Sequence, residues 1–378
     1  MFVVPKVKFG DVVKEVKNKI DRNNNPYEYY VAGDHMDSED LTIHRRGCFA
    51  TDDVGPAFIR EFRKGQVLYG SRRTYLKKVA VADFDGVTAN TTFVLETKDQ
   101  NVLLQELLPF IMLTDNFTKW SIGKSKGSTN PYILFSDLAD YEFDLPTIEE
   151  QRKLATVLWK MFRLKEGYVE LQHQSDQLVQ SQFIEMFGDY PRTRLGDFIE
   201  QVRGVSYKPN DLLLSLEDTH ITLLRANNIS NNEINFDEVQ YVSRAKVSPQ
   251  QIIREDDILM CASSGSLEHV GKAAICSPTS IDYTFGAFCK VVRTKKDLLP
   301  KFLATYFVTD EYRDKIMSLA CGTNINNLKN EYIDNLLIPI PEMSIQESFV
   351  RMIEQFDKSK SLRELTVQNQ VMGGVRCA

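Results

Sequence analysis

The chain has 378 residues, 43% of them hydrophobic and 26% charged, a composition that excludes collagen-like, mucin-like and wholly disordered proteins. At about 100–200 residues per domain, that length suits two domains. The net charge of −6 argues mildly against a partner held by bulk charge, such as nucleic acid, although a total says nothing about distribution.

In chain order, Phe9-Gly10-Asp11-Val12-Val13 leads into a first half. There Gln66–Gly70, Lys78–Ala82 and Thr91–Glu96 read as strands, being short and rich in β-branched or aromatic residues. Residues 60–78 hold seven Lys or Arg against one Glu, with Tyr69 and Tyr75 interleaved. Arg72 and Arg73 fall between two of these strands, where side chains reach outwards. Arginine's planar fork suits phosphate or the O6/N7 edge of guanine, and a solvated surface run is the other reading. A helix is expected over about 100–113. The loop Gly123–Asn130, GKSKGSTN, has the Ser, Thr, Asn, Gly and Lys that contact phosphates and base edges. That is also the composition of many surface turns.

Residues 149–187 contain no Pro and one Gly (Gly167), and predict one long helix. Val157, Met161, Leu164, Tyr168, Leu171, Ser175 and Leu178 alternate steps of four and three, the seam of a coiled coil. At 1.5 Å per residue the helix would be about 58 Å long. Thr147 can cap its start, with Glu149 and Glu150 in the first turn, and Gly188-Asp189-Tyr190-Pro191 can stop it.

The second half offers strands at Ile258–Cys261, Lys272–Cys276 and Ala287–Arg293, and a helix over about 299–319. Its loops are Ala262–Lys272, polar with one Lys and one His, and Gly322–Lys329. After Pro341 a shorter helix, roughly 344–370, carries Phe349, Ile353 and Phe356. Leu362 and Leu365 then fall out of strict register, ahead of Met372-Gly373-Gly374-Val375-Arg376-Cys377-Ala378.

These segments repeat. Phe9-Gly10-Asp11 recurs as Leu195-Gly196-Asp197, an offset of 186. Val67-Leu68-Tyr69 matches Ile258-Leu259-Met260, and Leu107-Leu108-Pro109 matches Leu298-Leu299-Pro300, both at 191. From Thr114 against Thr309 the offset is 195 through Gly127-Ser128 against Gly322-Thr323, Pro146 against Pro341 and Gln151 against Gln346. The fold class is therefore α+β, a duplicated domain with a pseudo-twofold, its two copies held apart by an antiparallel pair of helices. The expected boundaries are 1–145, 146–190, 191–340 and 341–378. Such a molecule suits a partner that is itself roughly twofold symmetric.

Much is missing. No glycine-rich cofactor loop with an Asn/Asp-Pro-Pro-aromatic motif is present, and no GxxxxGK[ST] loop. His35, His44, His173, His220 and His269 form no metal spacing, and the six Cys include no CxxC pair, which suits reduced thiols. No stretch is long and apolar enough to cross a membrane, and Met1–Lys6 lacks the features of a signal peptide. We therefore expect no catalytic residue, metal or cofactor. The residues themselves leave open a DNA-binding protein, a coiled-coil scaffold whose globular ends bind proteins, and a stand-alone DNA modification enzyme.

Phe143–Lys153, FDLPTIEEQRK, opens the long helix, and Ser181–Asp189, SQFIEMFGD, closes it. Both resemble the central conserved region of the DNA-specificity (S) subunits of type I restriction–modification systems, the HsdS family. Lys64–Tyr69 with Lys78–Val81, and Asp256–Leu259 with Val270–Ile275, resemble that family's target-recognition core. Ile338-Pro339-Ile340-Pro341 with Gln346 resembles the entry to its second conserved helix. The resemblance implies two target-recognition domains, each reading half of a split double-stranded DNA site. Their helices would set the spacing and present surfaces to two modification (methyltransferase) subunits, with restriction (nuclease–translocase) subunits joining, all in the cytoplasm. Carried over, the DNA contacts are Ser71, Arg72, Arg73, Tyr75, Lys77, Ser128 and Asn130 in the first domain. In the second they are Ser263, Ser264, Ser266, His269, Lys272, Thr323, Asn324 and Asn326. The chain departs from the family in its short second helix and in lacking an Arg pair in its second domain.

Overall fold

The computed structural model describes residues 5–213, 219–230, 232–236, 238–277, 282–320 and 326–358. The chain divides into two compact units within the long helix, between Glu166 and Gly167.

In the first unit Val13–Val16, Thr92–Thr97, Val67–Gly70 and Val79–Val81 form an antiparallel sheet in that order. The expected strands of this half lie in it. Its side chains alternate between two apolar clusters, as the period of two requires. Val67, Tyr69, Val79 and Leu95 face the helices, in a cluster with Phe9, Met112 and Phe117. Leu68, Ala80 and Val94 face a second sheet, packing with Val31 and Phe62. Because both faces are buried, the sequence runs apolar without interruption.

The second sheet has the order Gly47–Cys48, Tyr29–Val31, Gly86–Ala89, Phe58–Phe62, with the middle pair parallel. Sequence patterning does not reveal it, since its strands are two to five residues long. The helix expected over 100–113 is instead a run of turns ending in Leu108–Leu113, followed by Asp115–Lys124. Thr114 separates the two and accepts a hydrogen bond from Phe117 N at 3.3 Å, as an N-cap does.

The second unit repeats this plan. Ile199–Arg203, Cys289–Thr294, Ile258–Cys261 and Ala273–Ile275 form the equivalent sheet in the equivalent order. Its partner sheet has the order Leu212–Leu213, Gln240–Ser243, His220–Leu224, Tyr283–Phe285, again with one parallel pair. The helix expected over 299–319 breaks into Pro300–Tyr306 and Asp310–Ala320, with Thr309 capping the latter through Tyr312 N at 3.3 Å.

Side-chain devices fix the alignment of the two copies. Buried Gln151 accepts from Leu104 N (3.0 Å) and donates to Val102 O and Pro146 O (both 2.9 Å). Buried Gln346 does the same with Leu299 N (2.9 Å), Asp297 O (3.0 Å) and Pro341 O (2.8 Å). The offset is thus already 195 at Leu104. The Leu107-Leu108-Pro109 match at 191 is a coincidence of composition, displaced by four residues, about one helical turn. Gly10 and Gly196 also keep one role. A Cβ there would lie 2.6 Å from Ala139 Cβ and 2.8 Å from Asp334 Cβ respectively, so only glycine admits the close approach.

The long helix runs Ile148–Phe187. Thr147 and Glu150 form a capping box, Thr147 N reaching Glu150 Oε2 at 2.9 Å and Glu150 N reaching Thr147 Oγ1 at 3.4 Å. Its apolar residues near each end serve the domain cores. Leu154, Ala155, Leu158, Trp159 and Phe162 pack on the first, and Val179, Phe183 and Phe187 on the second. Of the seam positions, Val157, Met161, Leu164, Tyr168 and Ser175 are half-buried, while Leu171 and Leu178 are 37% and 45% exposed. The last described segment is helical over 343–358. Phe349 and Ile353 are buried in the second core, Phe349 lying 5.6 Å from Phe183 and 5.2 Å from Phe187 between ring centroids. Phe356 is half-buried. Leu362, Leu365 and the end of the expected helix lie outside the described residues.

Candidate nucleic-acid interface

In the first unit two loops lie side by side. Segment 71–78 joins two of its strands, and segment 124–132 follows the helix Asp115–Lys124. Backbone hydrogen bonds fasten them together: Ile133 N to Ser71 O at 2.9 Å and Arg73 N to Pro131 O at 2.6 Å. Thr74 Oγ1 and Ser125 Oγ lie 3.1 Å apart. Arg73 and Lys77 both adopt left-handed backbone, at φ +50° and +46°, around a single turn of 3-10 helix. Non-glycine residues hold that conformation at a cost of order 1–3 kcal/mol, and such strain concentrates at functional sites.

This geometry sorts the expected contacts. Arg72, Arg73, Tyr75, Ser128 and Asn130 are exposed on the joined loops, Tyr75 at 53%. Neither guanidinium has an acidic partner among the described residues; Arg72 lies 5.9 Å from the Tyr132 ring centroid. Ser71 faces inwards, its hydroxyl donating to Thr91 O at 2.6 Å. Lys77 pairs with Glu39, and that hydrogen bond holds its ammonium above the ordinary range. The basic run is thus largely neutralised by acids from elsewhere in the chain. Arg60 pairs with Glu15 (3.2 Å), Arg63 with Asp85 (2.9 Å), and Lys78 donates to Gly33 O (2.6 Å). Lys64, Arg72 and Arg73 remain without an ion pair among the described residues.

The second unit builds the same pair of loops. Leu328 N donates to Ala262 O at 2.8 Å, and Ser263 and Ser264 pair with Asn327 and Asn326 as a two-stranded ribbon. From below, Arg313 donates to Val270 O (2.8 Å) and Glu268 O (2.9 Å), and Tyr312 Oη donates to Gly271 O (2.9 Å). Gly271 has φ +78°, and a Cβ there would lie 2.7 Å from Ile316 Cγ2. Lys290 is buried and donates to Gln201 Oε1, Leu328 O and Asn330 Oδ1 at 3.0, 2.9 and 2.7 Å, tying the second loop to the sheet. Burial lowers its pKa from 10.5 to about 8.

Of the expected contacts, His269 is exposed, while Ser263, Ser264, Ser266 and Lys272 are half-buried. Ser264 Oγ accepts from Ser266 N at 3.2 Å. Asn326 contributes its backbone to the ribbon; Thr323 and Asn324 lie outside the described residues. Sequence reasoning missed Asn327, which is exposed beside Ser263, and Phe288, which is 64% exposed. Phe288 was expected inside a strand, but that strand starts at Cys289 and Phe288 stands in the preceding turn. Gly286 followed by Ala287 was the available turn signal.

Asp40, His44 and Glu166 bring ligand-type atoms within 4.8 Å of one another, a grouping that no local spacing foretells. His44 Nε2 lies 3.1 Å from Asp40 Oδ2, and Thr42 donates to Glu166, so the group anchors a loop to the long helix. His35 accepts from Ala32 N through Nδ1 at 3.1 Å, a structural role. Burial pushes the thiols of Cys261 and Cys276 up to about 11 and about 12, leaving them unreactive. No helix among the described residues is long and apolar enough to cross a membrane.

A stretch of 167 residues is 36% identical to the StySPI specificity subunit of Salmonella potsdam, covering 43% of this chain and 36% of that one. Another of 164 residues is 37% identical to the EcoKI specificity subunit of Escherichia coli (strain K12), covering 42% and 35%. The match thus spans about a third of the length of these curated relatives. Over 300 residues the chain is 21% identical to the MjaVIII specificity subunit of Methanocaldococcus jannaschii, covering 72% and 68%. Among solved structures, the S subunit of the type I system from M. genitalium aligns at TM-score 0.48 and 12% identity, over 98% of this chain and 94% of that one. The model of the type I restriction modification DNA specificity domain matches twice, at residues 6–170 and 189–372, and the chain belongs to that family.

Proposed function

We propose that this chain is the sequence-reading subunit of a type I restriction–modification complex and binds a bipartite site in double-stranded DNA. The observation that carries this reading is the paired loop, built twice on the same backbone bonds, Ser71 O to Ile133 N and Ala262 O to Leu328 N. Each pair presents exposed polar groups at the edge of a rigid sheet, where base-edge and phosphate contacts can be made together. Residues 1–145 and 191–340 are the two target-recognition domains. The spacer on this reading is the helix of 146–190, with the seam Val157 to Leu178, together with the helical segment 343–358 that carries Phe349, Ile353 and Phe356.

On this reading, two methyltransferase subunits dock on the helices, and restriction subunits complete a cytoplasmic assembly. The chain positions that chemistry without performing it. DNase footprinting of the chain assembled with its modification subunits tests the reading. Two protected segments about one helical turn apart are expected; one continuous segment, or none, contradicts it. A four-residue insertion at Gly167 should change the tolerated spacer while leaving both half-sites unchanged.

A further inference from the structure

We infer that Phe288 is a specificity-determining residue of the second loop pair, which sets its ring against the 5-methyl group of a thymine. This rests on the DNA-reading role proposed above and names a contact within it.

The placement carries the inference. Phe288 is the most exposed large hydrophobic side chain among the described residues, at 64%. It occupies the turn Gly286–Cys289, closed by Cys289 N to Gly286 O at 2.8 Å. Its carbonyl accepts from Ala262 N at 2.8 Å and Ser263 N at 3.0 Å, so its backbone is fixed to the start of the first loop. Two residues on, Lys290 holds the second loop through Leu328 O and Asn330 Oδ1. The residue is therefore mounted at the junction of both loops, one backbone bond from Ser263, whose ribbon partner is Asn327.

Burial does not account for the ring. Most of the residue is exposed, and a lone exposed apolar residue needs no explanation by itself. Its setting distinguishes it: its carbonyl is bonded to Ser263 N, Ser263 pairs with exposed Asn327 in the ribbon, and no arginine stands at the positions of Arg72 and Arg73. Asn is suited to the N6/N7 edge of adenine and an apolar side chain to the thymine methyl, so the two together match an A·T pair in the major groove. The first loop pair has a different chemistry at the equivalent place. There Thr91 O accepts from Ser71 N at 3.1 Å, so Thr91 takes the position of Phe288.

The test uses the full chain assembled with its modification subunits, after its recognition site has been read by sequencing modified host DNA. Duplexes are compared in which each thymine of the second half-site is replaced in turn by deoxyuridine, which lacks only the methyl group. At one position the wild-type complex should bind about 4-fold more weakly, the effect of one buried methyl-sized group. Phe288→Ala should bind the thymine duplex more weakly and abolish the thymine–uracil difference, while Phe288→Leu retains part of it. An unchanged thymine–uracil ratio in Phe288→Ala overturns the inference, as does loss of subunit assembly with that ratio intact, which would make Phe288 a protein-docking residue. Failure of the DNA-reading proposal would look different, since the wild-type complex would then show no sequence preference in either half-site.

Discussion

At the first loop pair Arg72, Arg73 and Tyr75 occupy the places that Ser263, Ser264 and Ser266 hold at the second, and Thr91 stands where the second has Phe288. The backbone beneath is shared. In each unit the first loop joins two equivalent strands, and each pair shares the equivalent amide-to-carbonyl bond, at 2.9 and 2.8 Å. Deeper positions also keep geometry and exchange chemistry. Gln66 caps Arg63 N at 2.7 Å and donates to Glu96 at 2.9 Å. Asp257 caps Arg254 N at 2.8 Å and accepts from Arg293 at 2.8 and 3.0 Å. A duplicated scaffold thus holds its frame with hydrogen bonds at fixed places while the side chains it presents diverge. Cationic forks suit one surface for guanine or phosphate, and short hydroxyls with an aromatic ring suit the other for a less charged contact.

This contrast can be broken at several depths. The largest effects should come from the shared frame. Gln151→Ala and Gln346→Ala each remove a buried side chain and leave one backbone amide and two carbonyls without it, and each should destabilise its own unit by about 2–4 kcal/mol. Urea unfolding followed by a probe in each unit should return similar losses, and sensitivity in one unit alone would deny the equivalence. Next, Arg72→Ala with Arg73→Ala should weaken duplex binding about 30-fold, whereas Ser263→Ala with Ser264→Ala should cost about 3-fold. Equal losses in a binding titration would erase the difference between the loop pairs. Tyr312→Phe removes the hydroxyl beneath Gly271 and recreates the Phe117 of the first unit, at a cost of about 1 kcal/mol in thermal unfolding.

The smallest effect is a pH dependence confined to the second unit. Because burial lowers the pKa of Lys290 from 10.5 to about 8, the unfolded chain binds a proton between those values that the folded chain does not. Stability from this group therefore rises with pH through that window and is lost as pH falls below about 8. The Tm of the wild-type chain, relative to Lys290→Met, should increase from pH 8 to pH 10. A flat difference would mean that the amine stays charged in the fold.

What the sequence made legible follows from burial. Strands covered on both faces, such as Val67–Gly70 and Ile258–Cys261, show as short apolar runs, and the long helix shows through its period and its caps. The partner sheets were hidden because Tyr29–Val31 and Gly47–Cys48 carry too few residues for a period to emerge. Charge misled at residues 60–78, because the acids that neutralise Arg60, Arg63 and Lys77 lie elsewhere in the chain and only the fold brings them close. Ser71 read as a surface hydroxyl and is a buried strut. Phe288 read as part of the strand Ala287–Arg293 and is exposed, since the strand starts only at Cys289 and Phe288 stands in the turn before it. Asn327 had no signal beyond an asparagine-rich loop.

If the two loop pairs read separate half-sites independently, selection of bound duplexes from a randomised pool will show it, using the complex with wild-type chain and with Arg72→Ala/Arg73→Ala. The wild type should enrich two specified blocks around an unspecified spacer, and the variant should lose preference in one block while keeping the other intact. Enrichment of a single block, or equal blurring of both blocks in the variant, would contradict it.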